Sequence, residues 1–230
     1  MYPVLTGSLQ VETVTIAIRN LPPRLQGTKL VQLSDFHYEG WGLSEKLLDR
    51  AIGASNEAEP DLVLLTGDYI TKYPTRIHQL AAKLKDLQSR AGIYAIFGNH
   101  DLLSRPQIAD AFTPIGINIL WNQIAYPLGS GLALVGMADF YSPEFHPQPL
   151  LTAIPPEIPR LVLSHNPDTA AEMQPYRENL RIAQPHRHHL HHHHQHQPDS
   201  QHHLHHHRQH QPDSQHHLHH HPRWGNRRYQ

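Results

Sequence analysis

Polar side chains of the kinds that bind metal ions follow four apolar segments of this chain, at the point where each segment ends. The segments, residues 30–33, 62–65, 93–97 and 161–163, have the composition of buried parallel strands. The clusters after them are Asp35-Phe36-His37, Gly67-Asp68, Gly98-Asn99-His100-Asp101 and Ser164-His165-Asn166. In open α/β sheets, ligands collect beyond the carboxyl ends of strands, and carboxylate and amide oxygens mixed with imidazoles suit divalent transition metals. The pattern therefore predicts a two-metal site and an enzyme.

The elements that must position these clusters alternate between strand and helix. Apolar residues at helical spacing predict one helix from about Ser44 and another after Thr75. Residues 11–18 alternate and are rich in β-branched side chains, which predicts a strand. The shorter segments at 117–120, 132–135 and 161–163 predict a second, mixed sheet. The expected fold class is α/β, with two packed mixed β-sheets flanked by helices.

Composition limits where the protein works and how it is divided. The chain contains no cysteine, which excludes disulfides and thiolate metal sites. No apolar run approaches the roughly 18 residues of a membrane span, and residues 1–10 do not resemble a signal peptide. We therefore expect a cytoplasmic protein, with a membrane association as an additional possibility. Residues 1–180 carry 13 Lys and Arg against 18 Asp and Glu, an acidic balance that argues against broad contact with nucleic acid.

The last part of the chain has a different composition. Residues 181–230 carry 6 Arg against 2 Asp, and 19 of the 24 histidines lie between His186 and His221. A 13-residue segment from Gln195 recurs from Gln209. Such a sequence has almost no apolar residues with which to form a core. We predict one domain over residues 1–184 and a low-complexity, disordered tail over residues 185–230.

The ordered motifs D-x-H, G-D, G-N-H-D and a later single histidine resemble those of the calcineurin-like metallophosphoesterase superfamily. The resemblance covers roughly residues 11–180, and the matching residues are Asp35, His37, Asp68, Asn99 and His165. The phrases from Val31 to His37 and from Leu163 to Asp168 are most similar to a bacterial branch of membrane-associated phosphoesterases, which includes UDP-2,3-diacylglucosamine hydrolase-like proteins. The resemblance implies a sandwich of two sheets with the site at one end.

The family also implies a role for each matched residue. Asp35 and His37 would bind one divalent ion (Mn, Fe, Zn or similar), Asn99 and His165 a second, and Asp68 would bridge the two with one oxygen each. Such a pair can activate a water-derived nucleophile and bind phosphoryl oxygens during in-line displacement. His100 would donate a proton to the leaving oxygen, and Asp101 would orient its ring. The expected substrate is a small phosphoester or a phospholipid-type molecule, with no nucleic acid, and the oligomeric state is left open.

The chain departs from the family at the last motif, which is usually G-H-x-H followed by Gly-Gly-Gln. Here His186-Arg187-His188 keeps the H-x-H spacing without the glycines. Two interpretations stay open: these histidines supply one ligand to each metal, or they are the first members of the repetitive tail. In the second case the site is incomplete and activity is impaired.

Individual residues also have simpler interpretations. Asp35 alone could cap a loop, His165 alone could be a satisfied loop histidine, and Asp139 could belong either to the surroundings of the site or to a plain turn. The alternative function for the whole chain is a non-catalytic protein whose His-rich tail binds or buffers metal ions, since neutral imidazoles bind nickel, zinc and copper near pH 7.

Overall fold

The first β-sheet is entirely parallel and is built from the first half of the chain. The computed structural model describes residues 9–39, 43–176 and 180–183. The strands are β1 (Leu30–Leu33), β2 (Leu62–Leu65), β3 (Ile93–Ala95) and β4 (Ile117–Ile119), in that spatial order. Helices α1 (Glu45–Glu57), α2 (Ile77–Leu84) and α3 (Arg105–Phe112) connect them. All the strands point the same way, so their carboxyl ends form one edge of the sheet.

The second sheet is mixed. Its strands are β5 (Gln123–Ala125), β6 (Ala133–Gly136), β7 (Arg160–Leu163) and β8 (Leu180–Ala183). β5 pairs antiparallel with β6, whereas β6, β7 and β8 are parallel to one another. The short helix α4 (Pro147–Thr152) lies between β6 and β7 in the chain, and α5 (Thr169–Glu172) lies between β7 and β8. As in the first sheet, the parallel strands end at a common edge.

The two sheets pack face to face, and alternation within the strands explains how. In β2, Leu62 and Leu64 belong to the apolar layer between the sheets, while Val63 and Leu65 pack against the helices on the outer face. The layer between the sheets also receives leucines from the second sheet, namely Leu132, Leu134, Leu161 and Leu163. A third apolar layer covers the outer face of the second sheet. The predicted fold class, an α/β sandwich of two packed sheets, is confirmed.

The helices form where the sequence predicts them. Ser44 begins α1 as its N-cap, with its hydroxyl oxygen accepting the N–H of Leu47 at 3.2 Å. The apolar stripe of α2, which consists of Ile77, Leu80, Ala81 and Leu84, is buried against the first sheet.

Two expectations about strands are wrong. Residues 9–18 form no regular element, and Val11 and Val14 are 71% and 60% exposed. Alternation alone does not make a strand, because a strand also requires a neighbouring strand to pair with. β4 belongs to the first sheet, beside β3, and not to the second sheet as its length suggested.

Among the described residues, no helix has the length and apolar character to cross a bilayer. The predicted tail, together with His186 and His188, lies outside the described residues.

Candidate metal centre

Asp35, His37 and Asp68 come together beyond the carboxyl ends of β1 and β2. One ligand atom from each of the three lies within 4.8 Å of the others. His37 Nε2 is 3.9 Å from Asp35 Oδ1 and 3.6 Å from Asp68 Oδ2. Asp68 is buried, whereas Asp35 is exposed and His37 is half-buried. The cluster is therefore open to solvent on one side, as a site that admits a substrate requires.

The backbone at this cluster is strained, and hydrogen bonds between the two loops hold it. Asp35, His37 and Asp68 all have positive φ, at 57°, 41° and 57°, a region that costs of order 1–3 kcal/mol for a residue with a side chain. The N–H of Asp35 donates to the Gly67 carbonyl and that of His37 to the Asp68 carbonyl, both at 3.0 Å. Pairing thus continues past the last residues of β1 and β2 and fixes where the three side chains leave the backbone.

Two glycines allow the loops after β2 and β3 to touch. Gly67 has φ of 98°, and a Cβ on it would collide with the backbone of Gly98. A Cβ on Gly98 would in turn collide with the Asp68 carboxylate. These positions therefore require glycine for a close approach of backbone to a candidate ligand.

His165 reaches the same carboxylate from the second sheet. It follows β7, and its Nδ1 lies 2.8 Å from the Thr66 carbonyl, so Nδ1 carries the hydrogen and Nε2 faces Asp68. His165 Nε2 is 3.3 Å from Asp68 Oδ2, the oxygen that also faces His37. The other oxygen, Oδ1, accepts the backbone N–H of His100 at 3.0 Å. Oδ2 is therefore the oxygen shared by the two imidazoles.

The charges of Asp68 and His165 are coupled. Burial by itself would lower the pKa of His165, but the hydrogen bond and negative charge of Asp68 outweigh this and raise it to about 9. Burial would raise the pKa of Asp68, and its hydrogen bond with His165 brings it below the ordinary value. In the protein without metal, a hydrogen bond thus connects Asp68 and His165, and both groups would be available to bind a cation.

His100 lies beside this cluster, but Asp101 does not orient its ring. The ring of His100 is exposed, packs edge-on against the ring of His37 at 5.1 Å between centroids, and places Nδ1 2.6 Å from the Thr71 carbonyl. Asp101 is fully buried, and its carboxylate accepts the backbone N–H groups of Asp68, Gly98 and Tyr69 at 2.8, 2.9 and 3.0 Å. The expectation that Asp101 positions the His100 ring is wrong, because backbone donors occupy its carboxylate.

Burial raises the pKa of Asp101 to about 7, and the N–H donors act in the opposite direction. Its place in the structure is that of a group that joins the loop after β2 to the loop after β3.

Asn99 begins a short 3₁₀ turn, Asn99–Ser104, directly after Gly98, and is half-buried. His186 and His188 lie outside the described residues, so their predicted ligand roles stay predictions.

Sequence reasoning missed two residues near the site and left a third open. Thr71 contacts the rings of both His37 and His100, and Glu39 binds the loop that contains Thr71. Neither belongs to a recognisable motif. Asp139, which follows β6, is 1% exposed. Its Oδ1 accepts the N–H of Tyr141 at 2.9 Å, while its Oδ2 has no hydrogen-bond partner within the described structure.

The donors present fit divalent metal ions. The cluster offers carboxylate oxygens and imidazole nitrogens without sulfur, and Nδ1 of His165 is occupied by a carbonyl, which leaves Nε2 for a metal. Asp139 adds a buried carboxylate oxygen that has no hydrogen-bond partner among the described residues, and burial raises the pKa of that carboxyl. An unpaired buried oxygen is costly unless something at the site uses it.

Comparison with known proteins agrees with this geometry. The family model described as calcineurin-like phosphoesterase matches residues 28–230. Phosphodiesterase YaeI of Escherichia coli is 34% identical over 157 residues, which cover 64% of this chain and 55% of the relative. UDP-2,3-diacylglucosamine pyrophosphatase LpxG of Chlamydia trachomatis is 25% identical over 210 residues, which cover 68% of this chain and 63% of the relative.

A transmembrane protein with a metallophosphoesterase domain from Bos taurus is 25% identical over 190 residues, covering 75% of this chain and 42% of the relative. This chain therefore spans less than two thirds of the length of each of these relatives.

Proposed function

Because this chain belongs to the calcineurin-like phosphoesterase family, we propose that it is a metal-dependent hydrolase of a phosphomonoester, phosphodiester or pyrophosphate. The observation that carries the proposal is the shared oxygen of Asp68. His37 and His165, which come from different sheets, place Nε2 at 3.6 and 3.3 Å from this one atom. Imidazoles gathered on one buried carboxylate oxygen are the donor set of a metal centre with a shared ligand.

Two divalent ions (Mn, Fe, Zn or similar) are the proposed cofactors. Asp35 and His37 would bind one ion, and Asn99 and His165 the other. Asp68, whose carboxylate lies close to both His37 and His165, would be shared by the two ions. His186 and His188 would complete the set. When bound, the ions would supply positive charge for the phosphoryl oxygens and lower the pKa of water to the neutral range.

The protein's own contribution to the reaction would come from His100. Its Nδ1–H donates to the Thr71 carbonyl at 2.6 Å, so the ring can give up a proton at Nε2 only in the form in which both nitrogens are protonated. The ring is exposed and adjoins the ring of His37, 5.1 Å away between centroids. In the proposed reaction His100 donates this proton to the leaving oxygen.

The substrate is proposed to be a small phosphoester or a phospholipid-type molecule with an apolar leaving group. Leu103 follows His100 by three residues in the 3₁₀ turn, where residues i and i+3 lie on the same face, and its side chain is 96% exposed. An apolar group beside the proton donor suits an apolar part of a substrate. The relative LpxG, a UDP-2,3-diacylglucosamine pyrophosphatase by name, is consistent with this proposal. We propose that the chain can also bind at a membrane surface.

The test is a phosphatase assay on the full chain with manganese added. Three substrates separate the reaction types: p-nitrophenyl phosphate, bis(p-nitrophenyl) phosphate and a sugar nucleotide with a pyrophosphate link. We expect at least one to be hydrolysed, with loss of activity in EDTA and in Asp68→Ala, and no loss in Asp110→Ala, an exposed aspartate on α3. Metal-independent turnover, or none with any substrate, would contradict the proposal.

A second candidate function, metal buffering, rests on the 19 histidines between His186 and His221. The domain proposed for residues 1–184 and the tail proposed for residues 185–230 would then act separately. Asp68→Ala distinguishes the two functions, because it would abolish hydrolysis and leave the binding capacity of the tail histidines unchanged.

A further inference from the structure

Six consecutive backbone N–H groups, from Asp68 to Tyr73, donate to only two carboxylates. The first three, at Asp68, Tyr69 and Ile70, donate to Asp101. The next three donate to one oxygen, Oε1 of Glu39: Thr71 at 3.0 Å, Lys72 at 2.5 Å and Tyr73 at 2.9 Å. The whole loop after β2 is thus fixed by a carboxylate from the loop after β3 and another from the loop after β1.

Thr71 connects this loop to the candidate centre. Its carbonyl oxygen is 2.6 Å from His100 Nδ1, and its hydroxyl oxygen is 3.3 Å from His37 Nδ1. A single residue therefore contacts the far nitrogen of both rings, the candidate ligand and the candidate proton donor. The orientation of each ring depends on where the Thr71 backbone lies, and Glu39 sets that position.

A carboxylate suits this arrangement, because Oε1 of Glu39 accepts three backbone N–H groups at once. The Lys72 ammonium lies over the ring of Tyr73, 5.1 Å from the centroid. What Lys72 contributes to Glu39 is therefore its backbone N–H.

We propose that Glu39 is a positioning residue, whose carboxylate holds the Thr71–Tyr73 loop and thereby fixes the rings of His37 and His100. The part of this inference that concerns turnover rests on the proposed hydrolase function; the part that concerns the loop and metal affinity does not. Residues that orient metal ligands from behind commonly change metal affinity or activity by roughly 10–100-fold. We expect an effect of this size for Glu39.

The experiment compares three variants in the full chain. Glu39→Ala removes the acceptor, and Glu39→Gln retains an oxygen that accepts N–H bonds but lacks the charge. The control is Glu157→Ala, an exposed glutamate in the segment before β7, at the opposite end of that strand from the site. The measurements are hydrogen exchange of peptides containing residues 71–73 without metal, manganese affinity by titration of the spin-coupled electron paramagnetic signal, and kcat and KM.

For Glu39→Ala we expect faster exchange confined to residues 71–73, manganese affinity lower by about 10–100-fold, and a lower kcat at saturating manganese. Glu39→Gln should recover part of each loss, and Glu157→Ala should match the wild type. Thr71→Val separates the contact with His37 from the contact with His100, because it removes the hydroxyl that contacts His37 and keeps the carbonyl that contacts His100. It should weaken manganese binding and leave kcat at saturating manganese near the wild-type value.

Unchanged exchange at residues 71–73 in Glu39→Ala would overturn the proposal. So would faster exchange with unaltered manganese affinity, since the loop would then not orient the centre. If the wild type hydrolyses no substrate, the proposed function fails, while exchange and manganese affinity still decide the role of Glu39.

Discussion

The two sheets contribute to the candidate centre in different ways. In the first sheet, the loops after β1, β2 and β3 are bound to one another by backbone hydrogen bonds and by the carboxylates of Asp101 and Glu39. The described part of the second sheet contributes His165, whose ring is connected to the first sheet through the Thr66 carbonyl and Asp68. The residues from the first sheet are therefore fixed by contacts between loops, whereas the described contribution of the second sheet depends on the position of the His165 side chain.

Because of this difference, we expect that mutations in one half of the centre can remove one metal ion without removing the other. Asp35, His37 and Asp68 all lie in loops of the first sheet, where backbone hydrogen bonds connect those loops. His165, which follows β7, adds one donor, and its ring contacts the Thr66 carbonyl and Asp68. Mutations in each half therefore test whether the metal ion near Asp35 and His37 binds without the ion near His165.

The largest effect is expected for Asp68→Ala, because this carboxylate faces both imidazoles. Both ions should be lost, and hydrolysis with them. The measurement is the metal content of the full chain after equilibration with manganese, taken as the difference from the wild type so that metal bound by the tail histidines cancels. A content equal to that of the wild type would show that Asp68 does not bridge the ions.

His165→Ala should have the next largest effect, the loss of one ion. Asp35, His37 and Asp68 would still bind the other, so the metal content should fall by one ion per chain and the spin-coupled manganese signal should disappear. Hydrolysis should drop to background, since two ions are needed to bind the phosphoryl group from both sides. His78→Ala, an exposed histidine of α2, is the matched control. Loss of both ions in His165→Ala would contradict the separation of the two halves.

His100→Ala should retain both ions and lose turnover. Proton donation of this kind typically raises the rate by about 10²–10⁴-fold. His100 contacts Asp68 through its backbone N–H, whereas its ring contacts the Thr71 carbonyl, so the change to Ala leaves the candidate ligands in place. The comparison is kcat at saturating manganese, with His146→Ala, an exposed histidine that precedes α4, as the control. Wild-type kcat in His100→Ala would make the ring a structural neighbour of His37 and nothing more.

The first sheet was predictable because its signals are local. Each strand is a short apolar run, each helix has an apolar stripe, and each polar cluster directly follows a strand. β1, β2 and β3 together with Asp35, His37, Asp68 and Asn99 could therefore be placed at one edge from the sequence. His165 also follows a predicted strand, but that strand lies in the other sheet, and the family pattern was needed to assign it to the same site, because its contact with Thr66 spans 99 residues of sequence.

The errors concern partners that lie far apart in sequence. Residues 11–18 have the alternation of a strand, but alternation does not reveal whether a pairing strand is present. β4 was assigned to the wrong sheet because a three-residue apolar run contains nothing that identifies its neighbour. Asp101 was expected to orient the adjacent His100, whereas its hydrogen bonds reach back 31 to 33 residues to the loop after β2.

The smallest expected effect tests how far the second sheet contributes. β6, β7 and β8 are parallel, and Asp139, His165 and His186 each follow one of them by two or three residues. Because parallel strands end at a common edge, this spacing supports His186 and His188 as candidate ligands. Replacing both by Ala should weaken manganese binding by at least the roughly 10–100-fold seen when groups behind metal ligands are lost, because ligands themselves would be removed, and kcat should be recoverable at high manganese.

The control for that double variant is His216→Ala with His217→Ala, which belong to the repeated part of the tail. Histidines of a repeat can substitute for one another, so this pair should change the affinity of the spin-coupled site little. Equal, small effects of both double variants would mean that the His-rich segment supplies no specific ligand. The second sheet would then contribute His165 alone among the predicted ligands, and the expected hydrolysis would be weak, because one of the two ions would lack part of its ligand set.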